Sequence, residues 1–230
     1  VTTAALVPMR HHSERVPGKN FRMLGDRPLY QHIVGTLLAV PEVDEVVIDT
    51  DSEVIVEQTA EAFPAVRVLL RPEHLRAGEI PMNDVLLNTI RQLDADVFLQ
   101  THSTNPFLSA GTISAALRRY AEGREAGTHD SLFTVTRLQA RLWSATAEPM
   151  NHDPSVLLRT QDLPPVFLEN SCGYVFARDT LVERGNRIGA RPLLFEIDHL
   201  EAIDIDEERD FRLAEAVWAA RAELTGAGAR

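Results

Sequence analysis

The sequence predicts an α/β fold, a three-layer sandwich around a mainly parallel sheet. Three observations predict it. Short apolar runs of strand length alternate with segments whose apolar residues recur at helical spacing. No hairpin signal separates the early strands, so strand, helix, strand reads as the βαβ unit of a parallel sheet. The 230 residues, 44% hydrophobic, suffice for one sizeable core and would be cramped as two domains.

Taken in order, Ala4 to Met9 is the first strand, and it breaks into a loop running from Arg10 through Pro17 and Gly18 to Asn20. Pro28 opens a helix whose Leu29, Ile33, Leu37 and Leu38 share a face, with Tyr30 and Val34 beside them, and Pro41 stops it. Val43 to Ile48 is the second strand, and Asp49-Thr50-Asp51-Ser52 can cap a helix over Glu53 to Phe63. Val66 to Leu70 is the third strand, ended by Arg71-Pro72 and a polar loop over residues 71–82. Asn83-Asp84 precede an amphipathic helix through Val85, Leu86, Thr89, Ile90 and Leu93, and Asp96 to Gln100 is the fourth strand. A helix over Ile113 to Tyr120, closed by Gly123, leads to a strand over Ser131 to Val135. From Arg137 to Pro165 the periodicity decays, and this segment is expected to be a dimerisation arm or a flap over a site. A strand follows Glu169-Asn170, then a short helix from Arg178 and a strand over Leu193 to Ile197. Alternation about Ile203 and Ile205 predicts a strand with Asp204 and Asp206 on one face, roughly 7 Å apart. Phe211, Ala214, Val217 and Trp218 form the core face of a last helix, and the tail from Thr225 is expected to fray.

The loop after the first strand carries Arg10, Ser13, Arg15 and Lys19. A basic, turn-rich loop at a strand's end is where an α/β sheet holds a phosphorylated ligand, and an ordinary charged surface loop has the same composition. The glycine spacings of the Walker and dinucleotide loops are absent. Gln100 to Pro106 is dense in hydrogen-bonding groups that suit a base or sugar, or bond only to one another. Asp204 and Asp206 suit Mg²⁺, or are the polar face of an edge strand. Asn170 can bond a sugar hydroxyl or carboxylate, or cap its strand.

Asp plus Glu outnumber Lys plus Arg by 34 to 23, a formal charge of −11, which argues against a nucleic-acid surface but not against a small anion in a basic cleft. Cys172, the only cysteine, rules out an internal disulfide and a multi-cysteine zinc site, and reads as a buried small hydrophobe. No apolar run approaches the roughly 18 residues that cross a membrane, and no signal peptide is evident, so the cytoplasm is the expected compartment.

Together the loops resemble the acylneuraminate cytidylyltransferase family, the CMP-sialic acid synthetases and their relatives, with the CMP-Kdo synthetases more distant. The family's first loop looks like Arg-x-x-Ser-Lys-x-Ile-Pro-x-Lys-Asn, and here it stands as Arg10, Ser13, Glu14, Arg15, Val16, Pro17, Lys19 and Asn20. The match continues through Pro28-Leu29, Asp49 to Ser52, Arg71-Pro72, Asp84, Gln100 with Pro106, Glu169-Asn170 with Tyr174, and Ile203 to Asp206 with Glu208, Asp210 and Phe211.

The resemblance implies a Rossmann-like sheet of the nucleotide-diphospho-sugar transferase type in a single domain, and a homodimer acting on CTP and a small acidic acceptor. It implies that Arg10, Ser13, Arg15 and Lys19 hold the CTP phosphates, with Asn20, Arg71 and Asp84 beside the nucleotide. Gln100, His102, Asn105 and Asn170 would touch the acceptor, Asp204 and Asp206 would hold Mg²⁺, and Arg10, Lys19 and Asp206 would carry catalysis. Two departures stand out. Glu14 occupies a position where many members have Lys, which admits a nucleotide-binding protein without catalysis. The run from Gln100 to Pro106 has two more residues than the family's usual Gln-x-Thr-Ser-Pro, which admits an unusual sugar acid or a phosphonate.

Overall fold

Nearly every residue of the central strands is buried, and successive residues face opposite sides, which is why these runs are apolar throughout rather than alternating. In β1 (Thr3–Met9), Ala5, Val7 and Met9 enter one core while Ala4 and Leu6 enter the other; β4 (Glu45–Thr50) splits Val46 and Ile48 from Val47 in the same way. The computed structural model describes residues 1–226; residues 227–230, and with them most of the tail expected to fray, lie outside the described residues.

Seven strands form one sheet in the order β5-β4-β1-β6-β8-β7-β9. β5 (Arg67–Leu70), β4, β1 and β6 (Val97–Thr101) run parallel. β8 (Val166–Ala177) is antiparallel to both β6 and β7 (Ser131–Leu138), and β9 (Pro192–Glu196) pairs parallel with β7. The helices lie on both faces. α1 (Leu29–Leu38), α2 (Glu53–Ala62) and α4 (Ala110–Glu125) bury Tyr30, Ile33, Ile55, Ile113 and Tyr120 on one side. α3 (Met82–Ile90) and α5 (Arg178–Arg184) bury Leu86, Ile90 and Leu181 on the other. This is the three-layer α/β sandwich that the alternation of elements predicts. The chain leaves β1 for β4 on one side and reaches β6 on the other, so the carboxyl ends of β1 and β6 flank a topological switch point, the usual crevice for a ligand.

The expected cap of α2 forms: Ser52 Oγ accepts from the Ile55 backbone N–H at 3.3 Å. Other expectations need correction. A small hairpin, β2 (Met23–Leu24) with β3 (Arg27–Pro28), stands between β1 and α1. Its turn uses Gly25 at φ 63°, where an added Cβ would lie 1.8 Å from the Trp218 ring nitrogen. Gly123 does not close α4, which runs to Glu125. Its bare backbone lets His129 approach, with an added Cβ 3.0 Å from His129 Nδ1.

The segment around Asp204 is not a strand but an irregular stretch leading into α6 (Glu208–Gly226). Ile205 is fully buried with Val16, Leu24, Leu29, Phe211 and Ala214, and its N–H donates to the Thr104 carbonyl at 3.0 Å. The alternation seen in sequence is real, but it comes from one anchored side chain, not from sheet pairing.

Beyond the sheet, β7 and β8 continue as a two-stranded ribbon, pairing Thr136 with Leu168 through Leu138 with Val166. The ribbon carries the irregular segment 139–165, which holds a Trp143–Pro149 bridge and one short 3₁₀ turn. Trp143, Met150 and Leu157 are exposed there, Leu157 at 91%.

Candidate active site

The loop after β1 turns through Gly18, at φ 66°, into a 3₁₀ turn over Lys19–Phe21. There an added Cβ would sit 2.8 Å from the Phe21 ring. The tight turn swings Lys19 and Asn20 back toward the strand end. Asn20 is buried; its Nδ2 donates to the Arg10 carbonyl at 2.8 Å and its Oδ1 accepts from Ser103 Oγ at 2.7 Å. Asn20 thereby joins the exit loops of β1 and β6 across the switch point.

Between these loops lies a cavity of about 240 Å³ lined by Arg10, His12, Ser13, Glu14, Arg15, Lys19, Asn20, His102, Ser103 and Thr104, with Pro8 and Met9 at its floor. A larger hollow of about 890 Å³ lies elsewhere, around Val1, Thr3 and Tyr120; it holds none of the residues implied by the loop pattern. The Arg10 side chain has no hydrogen-bond or ion-pair partner among the described residues, and the Glu14 carboxylate lines the same cavity near it. Arg15 pairs with Asp206 at 2.7 Å. Lys19 Nζ donates to the Ile205 carbonyl at 2.6 Å and lies 3.9 Å from Asp206. Burial pulls the Lys19 pKa down, opposed by Asp206 and Asp204.

The acidic rim is asymmetric. Asp206 is half-exposed and engaged by cations, whereas Asp204 is largely buried, and desolvation followed by Asp206 pushes its carboxyl pKa up against a hydrogen bond from Thr104. Asp204 Oδ1 is shielded from solvent and has no hydrogen-bond partner. Among the described residues no cluster of three or more His, Cys, Asp or Glu side chains could hold a metal. The two aspartates with an orphaned buried oxygen fit a hard cation that takes few protein ligands and keeps waters or phosphate oxygens.

His102 reaches the cavity from β6. Its pKa is lowered to about 4, chiefly by burial and then by Arg187 and Lys19. Its Nε2 stands 2.9 Å from Gln100 Nε2, which also donates to the Thr101 carbonyl at 3.1 Å, so the imidazole is neutral with Nε2 accepting.

Of the residues singled out in the sequence, Arg10, Ser13, Arg15, Lys19, Asn20 and His102 line this cavity, and Asp204 and Asp206 border it through Lys19 and Thr104. Gln100 meets the cavity through His102, and Arg71, Asp84, Asn105 and Asn170 are not in its lining. Arg71 is 3% exposed, its Nε 2.5 Å from Asp49 Oδ1, while Thr89 holds the other Asp49 oxygen at 2.8 Å; it ties β5 to β4 and α3. Asp84 lies in the first turn of α3. Asn105 is fully buried, donating to the Ile203 carbonyl at 3.3 Å. Asn170 accepts from Thr134 Oγ1 at 2.6 Å and donates to Thr136 Oγ1 at 2.9 Å, holding the β7–β8 irregularity beside Ser171 at φ 60°. Ser103 and Thr104 belong to the hydrogen-bonding run Gln100 to Pro106 read from the sequence, which did not single out Arg187. Arg187 lies in the stretch Gly185 to Gly189, with no periodicity to mark it.

Fold and cavity define an α/β protein with a cationic cleft at the switch point of its sheet. The cytidylyltransferase family model matches residues 4–217, and the chain belongs to that family. The N-acylneuraminate cytidylyltransferase A of Danio rerio is 28% identical over 225 residues, covering 92% of this chain and 50% of that protein. The CMP-N,N'-diacetyllegionaminic acid synthase of Legionella pneumophila is 27% identical over 227 residues, covering 92% of this chain and 94% of that one. The chain thus spans about half the length of the Danio relative and nearly all of the Legionella one. A solved CMP:2-keto-3-deoxy-manno-octonic acid synthetase complexed with CTP superposes with a TM-score of 0.69 at 16% identity, covering 96% of this chain and 100% of that one, and shares the fold. Among the described residues no helix is long and apolar enough to cross a membrane.

Proposed function

We propose that the chain transfers CMP from CTP to a sugar acid of the nonulosonic type and releases pyrophosphate. The observation that carries this reading is the unpartnered Arg10 guanidinium, facing one cavity with Ser13, Arg15 and Lys19 at the switch point. Several fixed cations around a small volume match a triphosphate better than any single-charge ligand. The names of the Danio and Legionella relatives support the acceptor class.

In this reading the anomeric hydroxyl of the acceptor attacks the α-phosphorus. The new P–O bond forms in line as the bond to pyrophosphate breaks, and the hydroxyl proton passes to solvent. Arg10 and Lys19 hold the phosphates and offset the repulsion between an anionic acceptor and the triphosphate. Asp204 and Asp206 would hold Mg²⁺, which when bound supplies charge neutralisation at the transferring group. A neutral His102 is too weak a base to store that proton near pH 7, so positioning outweighs proton transfer. The same reading makes the chain a homodimer through residues 137–165, supported by the exposed Trp143, Met150 and Leu157.

The test is pyrophosphate release with CTP and Mg²⁺ against N-acetylneuraminate, legionaminate, 3-deoxy-manno-octulosonate and aminoalkylphosphonates, with a control lacking acceptor. Release with a sugar acid is the expected result. Release with a phosphonate alone moves the acceptor to the second reading, which the two additional residues between Gln100 and Pro106 favour. CTP binding without release from any acceptor overturns the transferase reading and favours the binding protein suggested by Glu14.

A further inference from the structure

Arg187 is a half-buried cation that the transfer reading leaves without a task. Its guanidinium lies over the Tyr174 ring, 3.7 Å from the ring centre. Its Nη1 is shielded from solvent and has no hydrogen-bond partner, and no carboxylate pairs with it among the described residues. A buried N–H of a charged group left unmade costs more than an ordinary lost hydrogen bond.

Tyr174 is the register partner of Gln100 across β6 and β8, so the two side chains share a face of the sheet. Gln100 Oε1 is also buried without a partner. Tyr174 thus has an unmade cationic donor over its ring and, across the β6–β8 pair, a register partner with an unmade neutral acceptor. His102, hydrogen-bonded to Gln100, lines the cavity of the phosphate-binding loop and feels the charges of both Arg187 and Lys19. Tyr174 is itself held in place: its hydroxyl donates to Glu169 and lies 3.2 Å from Ser171 Oγ.

We propose that Arg187 determines acceptor specificity by binding the acceptor's anionic group beside Tyr174, with Gln100 Oε1 taking a hydroxyl of the same molecule. The ligand class is a small polyhydroxylated acid. The inference rests on the transfer reading, and it adds a residue and a charge requirement to it. Arg187 is not among the residues that line the cavity of Arg10 and Lys19, so the acid group is held apart from the triphosphate while the acceptor hydroxyl approaches it. Guanidinium suits this task because its planar fork can hold two oxygens of one carboxylate while its face stays on the ring.

The experiment compares N-acetylneuraminate and 3-deoxy-manno-octulosonate with their uncharged methyl esters, using the unmodified protein, Arg187→Met and Arg187→Lys. Pyrophosphate release gives kcat/KM for each acceptor and the KM for CTP. A charge-assisted hydrogen bond predicts that the unmodified protein favours acid over ester by about tenfold or more. Arg187→Met loses that preference with the KM for CTP unchanged, and Arg187→Lys restores part of it. A preference retained in Arg187→Met, or an equal loss of CTP affinity, overturns the proposal. Saturation-transfer NMR of the free acids with CMP present reads the site without turnover. Absence of pyrophosphate release with Arg187-dependent acid binding sinks the transferase reading and keeps the acid site; absence of acid binding, or binding that Arg187→Met leaves intact, sinks the acid site. If Arg187→Met does not fold, the acid-to-ester ratio of Arg187→Lys decides: a reduced ratio supports the proposal and an unchanged one overturns it.

Discussion

Strands β5, β4, β1 and β6 run parallel and are joined through helices, whereas β8 lies antiparallel between β6 and β7 and leaves the sheet as a ribbon. The difference lies in what each arrangement does with its connections. A parallel strand needs a crossover helix, so the loops at the carboxyl ends gather at one edge, where they form the cavity. An antiparallel pair needs no crossover and is free to run past the sheet, and here it carries residues 139–165 with apolar side chains in solvent. One half concentrates polar groups inward and the other presents apolar groups outward.

The sharpest way to break this contrast is at the cavity rim. Asp206→Ala is expected to lower kcat by about 10³-fold while circular dichroism and the melting temperature hold. Normal turnover at saturating Mg²⁺ would remove Asp206 from the metal site. Next is Arg71, which belongs to the parallel half but stands outside the cavity. Arg71→Met strands a buried Asp49 and is expected to cost about 3–5 kcal/mol in urea unfolding, with CTP affinity of the folded protein nearly unchanged. Weakened CTP binding at full stability would return Arg71 to the nucleotide.

On the ribbon, Leu157→Asp with Trp143→Asp is expected to shift sedimentation from dimer toward monomer and to leave CTP affinity within about twofold, because neither side chain lines the cavity. An unmodified protein that sediments as a monomer refutes the arm's role. The smallest effect is that of His102. Its folded value of about 4 lies below its ordinary 6.5, so the stability it contributes is full above 6.5 and is lost as the pH falls toward 4. An NMR titration midpoint between 6 and 7 would mean that the ring is solvated.

The same contrast explains what was legible in the sequence. In the parallel half, continuous apolar runs, Pro28 and Ser52 mark each strand, helix and cap, because local chemistry and global packing agree there. The basic loop was legible for the same reason, since its cations and turn residues are adjacent in the chain. The bare alternation of Ile203 to Asp206 misled, because a buried Ile205 anchored by Thr104 produces the same pattern as a strand. Arg71 and Asn170 were legible as residue types that suit ligands, and only the fold reveals Asp49, Thr134 and Thr136 beside them. Arg187 was illegible because it lies in an unpatterned loop and its neighbour Tyr174 comes from β8.

The walls of the cavity come from opposite ends of the chain: Arg15 and Asp206 are 191 residues apart, and Lys19 and Ile205 are 186 apart. At about 5–20 residues per second of synthesis, the first wall waits roughly ten to forty seconds for the second. The parallel strands β1, β4 and β6 have all been made well before that moment. The site therefore closes only after the parallel strands have been made. In hydrogen exchange, residues 203–211 should open before the sheet does, so the cleft can be unlatched while its scaffold stays folded.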